Sequence, residues 1–182
     1  MKTICNCKGI DNLTLGIYKI FEDVEIPGYA TLGSCCFDLR AYLRVETVVG
    51  YSPQNEKEII EIEEESVIIK PFHRVLIPTG MKFHIPVGHS MRIHPRSGMA
   101  LKNGLILANC EGVIDYDYPE QTFVLAMNVS NIPVKISHGE RIAQAEIVPM
   151  IRVDFSVLTE DVSQYDDQYS TRTSGLGSTG TK

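Results

Sequence analysis

No segment of this chain carries the 3.6-residue apolar stripe of an amphipathic helix, and no apolar run approaches the length that crosses a bilayer. The first residues, MKTICNCKGIDN, lack the apolar core of a secretory signal. A soluble protein of the cytoplasm is the expectation. An excess of positive charge is also missing: 17 Lys and Arg stand against 23 Asp and Glu, for a net charge of −6. That balance argues against nucleic acid or an anionic membrane as partner. An anionic ligand would have to be held locally, by a few placed Arg and Lys. The five cysteines (Cys5, Cys7, Cys35, Cys36 and Cys110) contain no C-x-x-C pair and are odd in number. Neither a disulfide framework nor a zinc site is signalled, and reduced, mostly packed thiols are expected. The C-x-C at Cys5 and Cys7 reads either as a metal-binding pair or as a frayed terminus.

Short β-rich runs fill the chain instead: ESVIIK, HRVLIPTGMKFHI, SMRIHP, GLILAN, TFVLAMNVS, PVKIS and AQAEIVPMIRVDFSVL. Pro and Gly punctuate them about every ten residues, the rhythm of a barrel or sandwich. HRVLIPTGMKFHIPVGH reads as two strands around a turn at Pro78–Gly80. The fold class is therefore all-β. At 182 residues the chain is long enough for one domain with a sizeable core.

Two segments depart from this rhythm. Residues 50–66, GYSPQNEKEIIEIEEES, form an acidic insertion whose EIIEIE alternation suits an exposed hairpin arm or an edge strand guarded by charge. It reads as a solvated insertion, with a partner-binding surface as the alternative. Residues 159–182, rich in Ser, Thr, Gly and Asp, cannot bury enough apolar surface to order themselves. The tail ends in SGLGSTG with Arg172 upstream, a Gly-rich backbone that can wrap a phosphate chain.

HPRSGMALKNG sets Arg96, Ser97 and Gly98 side by side after an apolar run. Arg offers a fork for phosphate oxygens, Ser a hydroxyl donor, and Gly lets backbone N–H groups come close to a ligand. A turn with one surface Arg is the plain alternative. GSCCFDLRA places Asp38 between Phe37 and Leu39, NCEGVIDYDY brings Asp115, Asp117 and Tyr118 after a Gly turn, and GERIAQ carries Arg141 and Gln144.

These five segments, in their order along the chain, resemble the trimeric dUTPase family (deoxyuridine 5′-triphosphate nucleotidohydrolases). The resemblance runs from about Pro27 to Gly180. It implies a jelly-roll-like β-barrel subunit over residues 1–158, a flexible C-terminal arm over 159–182, and a homotrimer with active sites between subunits. It also implies hydrolysis of dUTP to dUMP and pyrophosphate by water attack on the α-phosphorus, limiting uracil in DNA and supplying dUMP for thymidylate synthesis. The setting is the cytoplasm, or the host cytoplasm for a viral protein.

By the same resemblance, Asp115 activates the water and Tyr118 packs on deoxyribose, leaving no room for a 2′-hydroxyl. Asn109 and the backbone of Gly112, Val113 and Ile114 read the uracil edge. Arg96, Ser97, Gly98 and Gln144 hold phosphates, while Arg141 supports its own turn. From the arm, Arg172 meets the γ-phosphate, Leu176 lies against the base, and Gly177 and Ser178 add donors. Mg2+ is expected on the triphosphate with mostly water and phosphate ligands. Asp38 matches an aspartate that reaches this metal through a water; a structural hydrogen bond at a barrel corner is its other reading.

The chain departs from the family pattern at Leu176, where a base-stacking Phe is usual, and in a one-residue shortening between Arg172 and Leu176. Cys36 and Glu120 each replace a usual Gly. His84, His89 and His94 recur at a spacing that is not a standard ligand pattern. A related deaminase chemistry would need a carboxylate on the TFVLAMN run, residues 122–128, which has none.

Overall fold

A computed structural model describes residues 13–159. Among them lie thirteen strands and one short helix. In chain order they are β1 (Gly16–Lys19), β2 (Phe37–Arg40), β3 (Thr47–Tyr51), β4 (Lys57–Glu61), β5 (Ser66–Ile69), β6 (Arg74–Pro78), β7 (Met81–His84) and β8 (His89–Pro95). Then come α1 (Ser97–Asn103), β9 (Leu105–Leu107), β10 (Gly112–Asp115), β11 (Phe123–Asn128), β12 (Val134–Ser137) and β13 (Arg141–Pro149).

Alternation along the strands decides which side chains go inward. In β11 the buried positions are Val124, Ala126 and Asn128, and their neighbours are half-buried. The principal sheets are β10-β8-β13-β2 and β4-β3-β6-β11-β9, with two-stranded pairs β1-β7 and β12-β5 closing the sides. One continuous core joins them: Leu39, Met91, Ile93 and Ala145 from the first sheet meet Val48, Val75, Ile77 and Val124 from the second. This is the jelly-roll-like all-β barrel expected from the sequence, within the compact unit that ends at Ile151.

The Pro78–Gly80 turn is present, but its two strands do not pair with each other. β6 lies between β3 and β11, and β7 pairs with β1. The turn is a corner where the chain changes sheets. Thr79 is buried there and its hydroxyl donates to the Thr122 carbonyl at 2.7 Å. Gly80 adopts φ 71°, and a Cβ on it would come within 2.7 Å of Val24 and 3.1 Å of the Tyr42 ring. Only glycine fits both the backbone and the space.

The acidic insertion resolves as the β3–β4 hairpin, with β4 the sheet's outer strand. Lys57, Ile59 and Glu61 face out, while Ile60 packs on the core. Charge along a bare edge discourages pairing with another chain. The β-rich run ending at Leu158 divides differently: β13 stops at Pro149, and residues 152–159 carry no strand. Within this second unit Val153, Phe155 and Val157 are exposed, so their period-two pattern finds no partner among the described residues. No helix among the described residues is long and apolar enough to cross a membrane.

Asn128 is the most heavily bonded buried polar side chain. Its amide donates to the Ile69 and Ile132 carbonyls at 2.9 and 2.7 Å, and its oxygen accepts from the Ser130 backbone and hydroxyl at 2.8 and 2.7 Å. Fully shielded from solvent, it ties β11 to β5 and shapes the loop into β12. Asn128→Ala would orphan these groups at a cost of about 3 kcal/mol. Chemical denaturation should show a clearly lowered midpoint, whereas Asn131→Ala, on the exposed part of the same loop, should leave it within experimental scatter.

Candidate functional site

The candidate residues fall into two groups, one beyond the C-terminal end of β8 and one along its β10 edge. At its C-terminal end the chain turns into α1, a seven-residue helix that the periodicity does not reveal because only Met99 of it is buried. Arg96 occupies the cap position before the helix, and Gly104 closes it in a left-handed conformation at φ 64°. Ser97 and Gly98 form the first turn, and a Cβ on Gly98 would meet nothing within 4 Å, so the space above it is open.

Arg96 is held by Asp38. Its Nε lies 2.8 Å from one carboxylate oxygen of Asp38, and Arg141 Nη1 lies 3.0 Å from the other. Arg96 Nη1 also donates to the Arg141 carbonyl at 2.9 Å. The register supplies this geometry. A β-bulge between Arg141 and Ala143 makes Ile142 and Ala143 both face inward, which re-aims Arg141 toward Asp38. Gln144 pairs with Asp38 on one side and His94 on the other, and its amide donates to the Pro95 carbonyl at 3.0 Å. Two guanidiniums around one carboxylate leave a net positive cluster with N–H groups to spare, a local cationic spot on an acidic protein. The Arg141 side chain reaches Asp38 on β2 and not its own turn.

The second group surrounds a cavity of about 280 Å3, near the lower end of the ligand-pocket range of about 300–1,000 Å3. Asn109, Gly112, Val113, Ile114 and Tyr118 line it, over a floor that includes Ile93, Leu107 and Phe123. The turn into β10 is tight: Cys110 adopts φ 62° and its N–H donates to the Leu107 carbonyl at 3.1 Å. β10 is the outer strand of its sheet, paired only with β8 among the described residues. Alternate N–H and C=O groups of Gly112–Asp115 are therefore not used by a strand on the other side. Tyr118 closes the next turn, its N–H donating to the Asp115 carbonyl at 3.2 Å and its hydroxyl to the Gln121 carbonyl at 3.3 Å. Asp115 is exposed at the end of β10 and shares a strand face with Val113.

Within one chain Asp115 and Arg96 sit at different levels of the sheet. Asp115 lies opposite Ser90, while Arg96 follows the far end of β8. Six residues of extended strand separate these levels by about 20 Å. Arg172, Leu176, Gly177 and Ser178 lie outside the described residues, as do Cys5 and Cys7. β11 carries no carboxylate.

The cysteines depart from the expected packed thiols. Cys35 and Cys110 are exposed, and Cys36 is only partly buried. Burial, then the neighbouring Cys35, pushes the Cys36 thiol up to about 11. Of the three spaced histidines, His94 binds Glu146 at 3.1 Å and His89 its own turn. The sole candidate metal cluster among the described residues is Cys35, Cys36 and Glu146. Adjacent cysteines were the available sequence signal; the strand register that brings Glu146 beside them was not.

A slot along an open strand edge and a separate cluster of two arginines on one carboxylate belong to the same sheet of this β-barrel. The dUTPase family model matches residues 62–180. The deoxyuridine 5′-triphosphate nucleotidohydrolase of Dinoroseobacter shibae is 41% identical over 135 residues, covering 74% of this chain and 77% of that protein. That of Hydrogenobaculum is 36% identical over 170 residues, covering 93% and 100%. Among solved structures, a mutant dUTPase of Staphylococcus bacteriophage 80alpha with dUpNHpp superposes at a TM-score of 0.69, with 20% identity, over 93% of this chain and 99% of that one. The chain belongs to the dUTPase family.

Proposed function

We infer that this chain is an enzyme that hydrolyses dUTP to dUMP and pyrophosphate by water attack on the α-phosphorus. The observation that carries the reading is the pairing of a ring-sized slot along a bare strand edge with a guanidinium-rich cluster on one sheet, in a member of this family.

Uracil presents one N–H flanked by two carbonyls, which matches alternate donors and acceptors along β10. Cytosine would set an amino donor where a carbonyl is required, leaving groups mismatched. The Tyr118 ring, part of the slot wall, bears on the sugar and excludes a 2′-hydroxyl. Asp115, on the same strand face as Val113, accepts a proton from the attacking water and keeps it aimed at phosphorus. Arg96, Ser97 and Gly98 take the phosphates, with Gln144 beside them.

Mg2+ bound to the triphosphate would neutralise charge on the phosphate oxygens. The donor set fits an indirect link: both Asp38 oxygens already face guanidiniums, so Asp38 suits a metal-bound water rather than the ion itself. From residues 159–182, Arg172, Leu176, Gly177 and Ser178 close over the nucleotide. Leucine at 176 offers contact without a π face, so the base gains less there than from an aromatic ring.

Because β8 holds Asp115 and Arg96 about 20 Å apart, one site takes Asp115 from one subunit and Arg96 from another. A homotrimer supplies both, and the exposed Val153, Phe155 and Val157 are apolar surface for a neighbouring copy to cover. The cytoplasm, where nucleoside triphosphates are made and used, is the setting.

Three measurements test this. Pyrophosphate release should be seen with dUTP and not with dCTP, dTTP or UTP, and Asp115→Asn should slow it about 10²–10⁴-fold; an unaltered rate removes Asp115 from the chemistry. Co-refolding equal amounts of Asp115→Asn and Arg96→Ala chains should restore activity in about a quarter of the sites. No recovery would mean the two residues act within one chain. Ending the chain after residue 171 should abolish turnover and leave the number of subunits in the oligomer unchanged.

A further inference from the structure

Cys35 and Cys36 lie at the entry to β2, and their sulfurs are 3.7 Å apart. Phe37 pairs with Ala145, so Cys36 comes level with Glu146 on β13. One ligand atom from each of Cys35, Cys36 and Glu146 lies within 4.8 Å of the others. Glu146 is held in place: His94 Nε2 lies 3.1 Å from its Oε1. A carboxylate can only accept, so this nitrogen carries the proton. The other His94 nitrogen lies 3.7 Å from Glu111, which Arg92 fixes at 3.0 Å. The result is two thiols and one braced carboxylate, with Cys35 open to solvent.

The sulfur spacing selects an ion. A tetrahedral centre with Zn–S bonds of about 2.3 Å keeps two sulfurs about 3.8 Å apart. The pair already spans one edge of such a tetrahedron. Thiolate ligands favour zinc-class ions, while Mg2+ requires oxygen donors in octahedral array and does not compete. A carboxylate hydrogen-bonded by a histidine is the kind of braced ligand that metal sites use.

We propose that Cys35, Cys36 and Glu146 form a binding site for a thiophilic d10 cation of the zinc class, with solvent in the fourth position. Two metal–sulfur bonds form as the two thiol protons leave to solvent. The site is independent of the nucleotide reading, although it adjoins it: Cys36 is two residues from Asp38, and Glu146 two from Gln144.

The probe is Cd2+, whose thiolate complexes absorb by sulfur-to-metal charge transfer. It is added to the full chain carrying Cys5→Ser, Cys7→Ser and Cys110→Ser, under a phosphine reductant and excess Mg2+, with the unaltered chain run alongside. The charge-transfer band should saturate at one ion per chain. Cys35→Ser or Cys36→Ser in this background should abolish it, and Glu146→Gln should keep the band but weaken binding about 10-fold or more. A band that survives loss of either Cys35 or Cys36, or saturation at one ion per two chains, overturns the site. Glu146→Gln binding as tightly as its parent removes the carboxylate and overturns the three-ligand assignment.

Discussion

The two ladders on β8 set the terms for the rest of the molecule. This seven-residue strand pairs with β10 along one edge and β13 along the other. Each ladder fixes a register, and a slip of one residue would send every side chain to the opposite face. β10 places Asp115 at the Ser90 end, and β13 places Gln144 at the His94 end. A strand flanked on both sides neither bends nor shortens to bring those ends together. On the reading proposed above, the distance is a reason to assemble: a site divided along a stiff element is completed by a second copy.

Around Asp38 the electrostatics are equally local. The chain carries a net charge of −6, yet Arg96 and Arg141 converge on a single carboxylate. With one negative charge against two positive ones, the cluster stays cationic while its arginines are held in fixed poses. Such pre-placement lowers the ordering cost when an anion arrives. The same carboxylate cannot serve freely as a metal ligand, because that would release the arginines it positions. The β-bulge at Arg141 is therefore part of the site and not an irregularity of the strand.

Strand content was legible in the sequence because apolar and polar residues alternate between Gly and Pro breaks, and β11 is a clear instance. Motif order made Asp38, Arg96, Asp115 and Gln144 legible as candidates. Pairing was not legible. HRVLIPTGMKFHI has the pattern of two strands around a turn, and the strand order shows that they part into different sheets at Gly80, against Val24 and Tyr42. α1 escaped notice because two turns with one buried methionine leave no periodic trace. The segment after Pro149 has strand-like alternation without a strand, since alternation records what a segment can bury and not whether its partner lies in the same chain. The nearness of Glu146 to Cys35 and Cys36 depends on register, which local composition does not encode.

The sheet edges at β4 and β10 show how far composition can follow function. Both are outer strands with unpaired backbone groups, an invitation to unwanted pairing. β4 meets the hazard with Lys57, Glu58 and Glu61. β10, Gly-Val-Ile-Asp, has charge only at its last residue and leaves Val113 48% exposed. It is short, four residues, which limits what could pair with it. Its flank is also the cavity wall, and Gly112 keeps the backbone there free of a side chain. If an edge were merely tolerated, charge would be the simplest guard, as on β4. On the reading proposed above, an edge charged only at its end leaves those N–H and C=O groups free for a pyrimidine, which presents the complementary pattern.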